Sequence, residues 1–127
     1  MKYTYNIYND IYYLMLTGKK DIEIRLLNDK SLKISEGDFI TFNNLSCEGR
    51  YIKTKVKRKS IYNNIDEVVI NNNINRILPG SSKENLVKLL IQIFGDKVNN
   101  SKIVAFEFEL IDSDLDIKVY EFSDYAN

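Results

Sequence analysis

Residues 18–26 read GKKDIEIRL, and this stretch predicts how the chain passes from a helix into the first strand of a sheet. Gly18 suits the left-handed residue that ends a helix, because it has no Cβ atom. Beyond it, apolar residues alternate with Glu23 and Arg25, and this period of two predicts a half-buried strand over residues 22–27. Because side chains alternate along a strand, Glu23 and Arg25 share its polar face.

The segments on either side predict an α+β domain. Asn9 and Asp10 can cap a helix that ends at Gly18. Further strands are predicted at 39–43, 50–59, 102–111 and 115–122, and further helices at 65–70 and 82–94. No linker or composition break divides the 127 residues, so residues 1–127 are predicted to form a single domain. Several strands around one small core favour a barrel or half-barrel with flanking helices.

The composition excludes several classes of protein and of site. The sequence contains no histidine, which excludes Ser-His-Asp and Cys-His catalysis. Cys47 is the single cysteine, so no internal disulfide can form and a zinc site is not expected. The apolar runs are too short to span a bilayer and the N-terminus lacks a signal-peptide core. We therefore expect a cytoplasmic protein with no membrane partner, no metal and no cofactor.

The charges are balanced in number and uneven in position. Residues 49–60 carry six basic and no acidic side chains, whereas residues 107–124 carry seven acidic side chains and one lysine. This distribution predicts one positive and one negative region on the molecule.

A strip of lysines is the main feature of the basic segment. Its period of two places four of them on one strand face, namely Lys53, Lys55, Lys57 and Lys59. One interpretation is a track for a nucleic-acid backbone, with Tyr51 or Tyr62 available to stack a base. The other interpretation is a solvated strand edge whose charges prevent aggregation.

Six features together give the chain a resemblance to the ASCH domain, a member of the PUA-like superfamily. They are GKKDIEIRL, ISEGDFITF at 34–42, a basic strand, a tyrosine-containing turn at Tyr62, LPG at 78–80 and KIVAFEFEL at 102–110, within a match that covers roughly residues 5 to 111. The sharpest part is Gly-x-Lys-x-x-Glu-x-Arg, which Gly18, Lys20, Glu23 and Arg25 match. The resemblance implies a small PUA-like β-barrel with flanking helices and a cleft lined by this motif.

The resemblance also implies a ligand and a set of site residues. ASCH proteins are thought to act on RNA or modified nucleosides, and one branch resembles an acetylcytidine amidohydrolase in which the Lys20 position is the catalytic lysine and a threonine stands at the Glu23 position. Lys20 and Glu23 are therefore candidate catalytic residues, and Gly18, Arg25 and Tyr62 are candidate ligand-binding residues. A cation, an acceptor and a planar donor fork suit phosphate or ribose oxygens and a base edge. An exposed salt-bridge cluster of no functional importance is the alternative for the charged residues.

Three functions remain open from the sequence. The first is an RNA- or nucleotide-binding domain. The second is a small enzyme that hydrolyses an amide in modified nucleosides or cleaves RNA. The third is a protein-interaction or regulatory domain that uses its charge asymmetry.

Overall fold

A computed structural model describes residues 1–115 of the protein. Its strands are β1 (Lys2–Ile7), β2 (Ile22–Leu26), β3 (Phe39–Asn44), β4 (Tyr51–Tyr62) and β5 (Ile103–Ser113). Its helices are α1 (Asn9–Leu16), α2 (Asp29–Lys33), α3 (Ile65–Asn71), α4 (Ile74–Ile77), α5 (Lys83–Phe94) and α6 (Lys97–Asn100). The strand predicted over residues 115–122 lies almost entirely outside the described residues.

The five strands form one curled half-barrel sheet, so the predicted α+β, PUA-like fold is confirmed. Their order is β1-β3-β4-β5-β2, with β1 parallel to β3 and the other neighbours antiparallel. The strands predicted at 22–27, 39–43, 50–59 and 102–111 all belong to this sheet, and the helix predicted at 82–94 is α5. The sequence did not predict β1, which is the edge strand beside β3.

The sheet carries a hydrophobic core on each face. The first core includes Phe42, Val56 and Phe106 and is covered by α1. The second core lies under the helices α3 to α6 and includes Ile24 and Leu90. The side chains of β2 alternate between the two faces of the sheet. Ile22 and Ile24 belong to the second core, whereas Glu23 and Arg25 lie on the face of the first core.

A bulge in β4 changes the predicted lysine strip. Val56 pairs with Phe108 and Arg58 pairs with Glu107, so Lys57 is an extra residue without a partner. After the bulge the alternation is reversed, and Lys59 lies opposite Phe106 on the first-core face. The Nζ of Lys59 donates to the carbonyl oxygens of Leu32 (2.8 Å) and Ile34 (2.6 Å). The prediction that four lysines share one face is therefore wrong for Lys59.

The predicted separation of positive and negative regions is also wrong in the described part of the chain. The basic and acidic segments are β4 and β5, which are antiparallel neighbours. Lys53 lies opposite Asp112 and Lys55 lies opposite Glu109, so the charges of the two segments alternate across the sheet. Cross-strand pairs of opposite charge are favourable, and they reduce the net positive field of the lysine strip.

Among residues 1–115, the longest helix has 12 residues, and no helix is both long and apolar enough to cross a membrane.

Candidate functional site

The turn after α1 brings Lys20 under the sheet. Gly18 takes the predicted left-handed conformation, with a φ of 75°. The backbone N–H of Lys20 then donates to the carbonyl oxygen of Leu14 at 3.0 Å, which holds the turn against the end of the helix. As a result the Lys20 side chain is buried, with 3% of its surface exposed.

The three protons of the Lys20 ammonium all have acceptors. Its Nζ lies 2.6 Å from the carbonyl oxygens of both Ile22 and Ile77, and 3.2 Å from Oε1 of Glu23. Lys20 therefore ties β2 to α4 as well as pairing with Glu23. The position of α4 is fixed independently by Arg76, whose guanidinium binds the carboxylates of Asp21 and Glu107.

Glu23 lies between two cations. Its Oε1 pairs with Lys20, and its Oε2 accepts from Nε (3.1 Å) and Nη2 (2.8 Å) of Arg25. The prediction that Glu23 and Arg25 share a strand face is confirmed, because they lie opposite Phe106 and Val104 of the first core. Glu23 is nevertheless buried, so the alternative of an exposed salt-bridge cluster is excluded by the structure.

Lys20, Glu23 and Arg25 form a triad, and Arg25 is the member with unused hydrogen-bonding capacity. Its Nη2 also donates to the carbonyl oxygen of Asn6 at 3.0 Å, and its Cζ lies 4.3 Å from the centre of the Tyr5 ring. These contacts fix the guanidinium plane, whereas Nη1 has no hydrogen-bond partner among residues 1–115. About a fifth of the side chain is exposed (19%), so Nη1 can reach a ligand.

The triad of Lys20, Glu23 and Arg25 carries one net positive charge when all three are ionised. Burial lowers the pKa of Lys20, and the neighbouring Glu23 carboxylate opposes this shift. Burial alone would raise the pKa of Glu23, but the charges of Lys20 and Arg25 outweigh it and hold that pKa below its ordinary value. The triad therefore presents a fixed cation to an adjacent ligand.

A first cavity of about 100 Å³ lies beside the triad. Its polar wall is formed by the triad and Asn6. The opposite wall is apolar and consists of Ile77, Leu78, Leu86, Leu89, Leu90, Ile93 and Phe94. A void needs roughly 10–15 Å³ of such space to hold one water, so this cavity has room for several waters or for one planar ring.

A second cavity, of about 370 Å³, adjoins the first. Arg25, Ile93 and Phe94 line both cavities, and Tyr5, Asn28, Lys97 and Ser101 are among the residues that line only the second. The Tyr5 side chain is 8% exposed, and its hydroxyl is the buried side-chain polar atom that lacks a hydrogen-bond partner in residues 1–115. Burial raises the pKa of Tyr5, so this hydroxyl stays protonated and can donate.

Two of the predicted ligand-binding residues do not line either cavity. Gly18 shapes the turn before Lys20 and contributes no side chain. Tyr62 is buried in the second core, where its hydroxyl accepts from Nδ2 of Asn72 at 3.2 Å. Pro79 and Gly80, of the LPG segment in the ASCH resemblance, line neither cavity, whereas their neighbour Leu78 lines the first.

The sequence did not identify the residues that complete the cleft. Asn6 and Tyr8 belong to the unpredicted β1 and the residue after it. The helix α5 was predicted without a role in the cleft, whereas its Ile93 is 46% exposed and forms part of the cavity wall.

Comparison with solved structures supports the fold and shows the family. The chain is similar to the hypothetical protein PH0355, with 33% identity and a TM-score of 0.76 over 87% of this chain and 100% of that one. This chain belongs to the same family as PH0355. It is also similar to PF0455 from Pyrococcus furiosus, with 26% identity and a TM-score of 0.67 over 88% of this chain and 99% of that one.

The ASCH resemblance is confirmed at the level of the fold. A point mutant of an ASCH protein from Zymomonas mobilis superimposes with a TM-score of 0.64 at 11% identity, over 91% of this chain and 73% of that one. No protein-family model and no curated protein matches the chain.

Proposed function

We propose that this chain binds RNA or a nucleotide-like ligand in the cleft between β2 and α5. The observation that carries the proposal is the Arg25 guanidinium, which is held in one plane by Glu23 and Asn6 while its Nη1 stays free beside an apolar cavity. The two N–H donors of Nη1 are therefore held in a fixed position, and charged donors of this kind suit the carbonyl oxygens of a base edge or the oxygens of a phosphate.

The two walls of the first cavity match the two surfaces of a nucleobase. The leucines of α5 offer an apolar surface for the face of the ring, and Arg25 and Asn6 offer polar groups for its edge. Proteins that recognise RNA by sequence act mainly on unstacked bases of single strands, whose edges are accessible. The ASCH fold agrees with such a ligand, and the predicted cytoplasmic location would give access to it.

The proposal is tested by titrating the protein with the four ribonucleoside monophosphates and with a labelled single-stranded RNA. Arg25→Lys keeps the charge and removes the free Nη1, and we expect it to weaken binding by about tenfold or more, the value of a charge-assisted hydrogen bond. Arg58→Lys is the matched control, because Arg58 is exposed on β4 and the change also preserves charge.

A second variant tests the cavity without replacing Arg25, so that a loss of binding does not depend on the effect of that replacement on the fold. Leu89→Phe enlarges a side chain of the apolar wall without touching the triad, and it should block the cavity while the melting temperature changes little. Equal binding by the wild type and both variants would show that the cleft is not the site.

One observation favours an enzymatic role for the same site. Lys20 is a buried amine beside the cavity, and burial lowers its pKa, which is a property of catalytic lysines. Its three acceptors argue for binding over catalysis, because the amine would have to leave one of them in order to react. Incubation with acetylcytidine and with RNA, followed by mass spectrometry, separates the two roles: a product that disappears in Lys20→Met would make the chain an enzyme.

A further inference from the structure

We propose that the second cavity holds the phosphate of the ligand, so that the preferred ligand is a phosphorylated nucleoside whose base lies in the first cavity. The placement of the base rests on the proposed function. The phosphate site is argued from the residues of the second cavity alone.

Several free polar groups around the second cavity can donate hydrogen bonds. Arg25 offers Nη1, and Lys97 offers an exposed ammonium with no partner in residues 1–115. The Oδ1 of Asn28 already accepts from the backbone N–H of Ser31 at 2.9 Å, which leaves its Nδ2 protons available. Ser101 adds a hydroxyl. Because no carboxylate is found among the described residues that line this cavity, the set suits an anion with several acceptor oxygens.

Tyr5 supplies an independent sign of an absent ligand atom. Buried hydroxyls in folded proteins nearly always have a hydrogen-bond partner, and an unpaired one calls for an explanation. The Cζ of Arg25 lies 4.3 Å and the Nζ of Lys30 lies 4.0 Å from the centre of the Tyr5 ring, so Lys30 adds one further positive charge beside this ring. A phosphate oxygen in the second cavity would accept the hydrogen bond that the described residues do not provide.

The two cavities are arranged as the two parts of a nucleotide require. They share Arg25, Ile93 and Phe94, and the first is mainly apolar while the second also contains the donor groups of Asn28, Lys97 and Ser101. Arg25 therefore lies where a ligand would pass from its ring to its phosphate, and its free Nη1 can bind either part.

The experiment compares ligands that differ only in the phosphate. Calorimetric titrations use the four ribonucleosides, their 5′- and 3′-monophosphates, a trinucleotide RNA and inorganic phosphate. We expect at least one monophosphate to bind about tenfold or more tightly than its nucleoside, as for one or two charge-assisted hydrogen bonds. A preference for monophosphates over the trinucleotide indicates a free nucleotide, and the reverse indicates a phosphate of an RNA strand; either result supports the site.

Two variants test the residues. Lys97→Gln should weaken monophosphate binding by about tenfold and leave nucleoside binding unchanged, whereas Lys88→Gln, which removes an exposed charge of α5 outside both cavities, should change neither. Tyr5→Phe should likewise weaken only the phosphorylated ligands.

The outcomes separate this inference from the proposed function. Equal affinities for nucleosides and monophosphates, or equal effects of Lys97→Gln and Lys88→Gln, would overturn the phosphate site and leave the base site standing. Binding of inorganic phosphate that Lys97→Gln weakens, without any binding of nucleosides or nucleotides, would support the phosphate site and contradict the base site. Absence of all binding would overturn both.

Discussion

Replacing Glu23 with glutamine is expected to expose the energetic cost of the buried triad. The side chains of Lys20 and Glu23 are 3% and 9% exposed, so their ion pair is shielded from water. Removing one partner of a buried ion pair costs about 3–5 kcal/mol, because the remaining charge loses its counter-ion without regaining solvent. An exposed pair would cost only about 0–1 kcal/mol. We therefore expect Glu23→Gln to lower the free energy of unfolding by about 3 kcal/mol or more near neutral pH.

The loss should depend on pH in a definite direction. Burial holds the pKa of Lys20 below its ordinary value of 10.5, and Glu23 opposes that shift, so removal of Glu23 lowers the pKa further. At pH values between the pKa of Lys20 in the folded protein and 10.5, the unfolded chain binds more protons at Lys20 than the folded chain does. The free energy of unfolding therefore rises with pH in that interval. The deficit of Glu23→Gln should consequently shrink as the pH rises from neutral towards 10.5.

In the wild type, the stabilisation by Glu23 depends on pH in the acid range. Its pKa lies below the ordinary value of 4.5, so its stabilisation is present above 4.5 and is lost as the pH falls through the folded pKa. The variant lacks this acid-dependent loss, and the stability curves of the two proteins should converge at low pH.

Urea unfolding followed by circular dichroism, at neutral and alkaline pH, measures these effects. Glu48→Gln is the control, because Glu48 is exposed and its replacement should change stability by less than about 0.5 kcal/mol. In the double variant Lys20→Met/Glu23→Gln the loss should be smaller than the sum of the single losses, since no ammonium is left without a partner. A loss below about 1 kcal/mol in Glu23→Gln, equal at both pH values, would refute a buried triad.

Three further predictions concern the rest of the chain. Tyr5→Phe should raise the free energy of unfolding of the ligand-free protein, by up to about 1–3 kcal/mol, because it removes a buried hydroxyl without a partner; a thermal melt at or below that of the wild type would contradict this. If RNA runs along β4, changing Lys55 and Lys57 to alanine should reduce the slope of log affinity against log salt concentration by about 1.4 in magnitude, or 0.7 per lost phosphate contact. Lys59→Ala should lower stability and leave this slope unchanged. An unchanged slope in the double variant would contradict an RNA track along β4. Tyr12→Phe should cost about 1.5–3 kcal/mol in urea unfolding, because the buried hydroxyl donates to the Asp114 carboxylate at 2.6 Å, and a cost near zero would contradict that bond.

The sequence predicted those features that depend on local chemistry. Gly18 takes a positive φ, and the alternation after it produced β2 with Glu23 and Arg25 on one face, because both properties are set within a few residues. The helix α5 was predicted because Ser82 caps it by accepting from the backbone N–H of Asn85 and Gly95 ends it. The motif residues Lys20, Glu23 and Arg25 were predicted as site residues through the resemblance to the ASCH domain, and the structure brings their side chains together in one ion-paired triad.

The features that the sequence did not predict depend on pairing between distant segments. Period two alone placed Lys59 with the other lysines, whereas the bulge at Lys57 reverses the alternation. Tyr62 lay beyond the strand predicted at 50–59, whereas β4 extends to Tyr62 and places it in the second core. The bulge follows from the register with β5, some fifty residues away, which no pattern within β4 reveals. The same holds for β1, whose role as a parallel edge strand depends on β3 and which brings Tyr5 and Asn6 to the cleft.

If the cleft between β2 and α5 receives a nucleotide-like ligand, a crystal of the protein soaked with a ribonucleoside monophosphate should show it there. We expect density for a base between Arg25 and the apolar residues of α5, with an oxygen or ring nitrogen within hydrogen-bonding distance of Nη1 of Arg25. Density for the nucleotide only along the lysines of β4, or an empty cleft at saturating ligand, would contradict it.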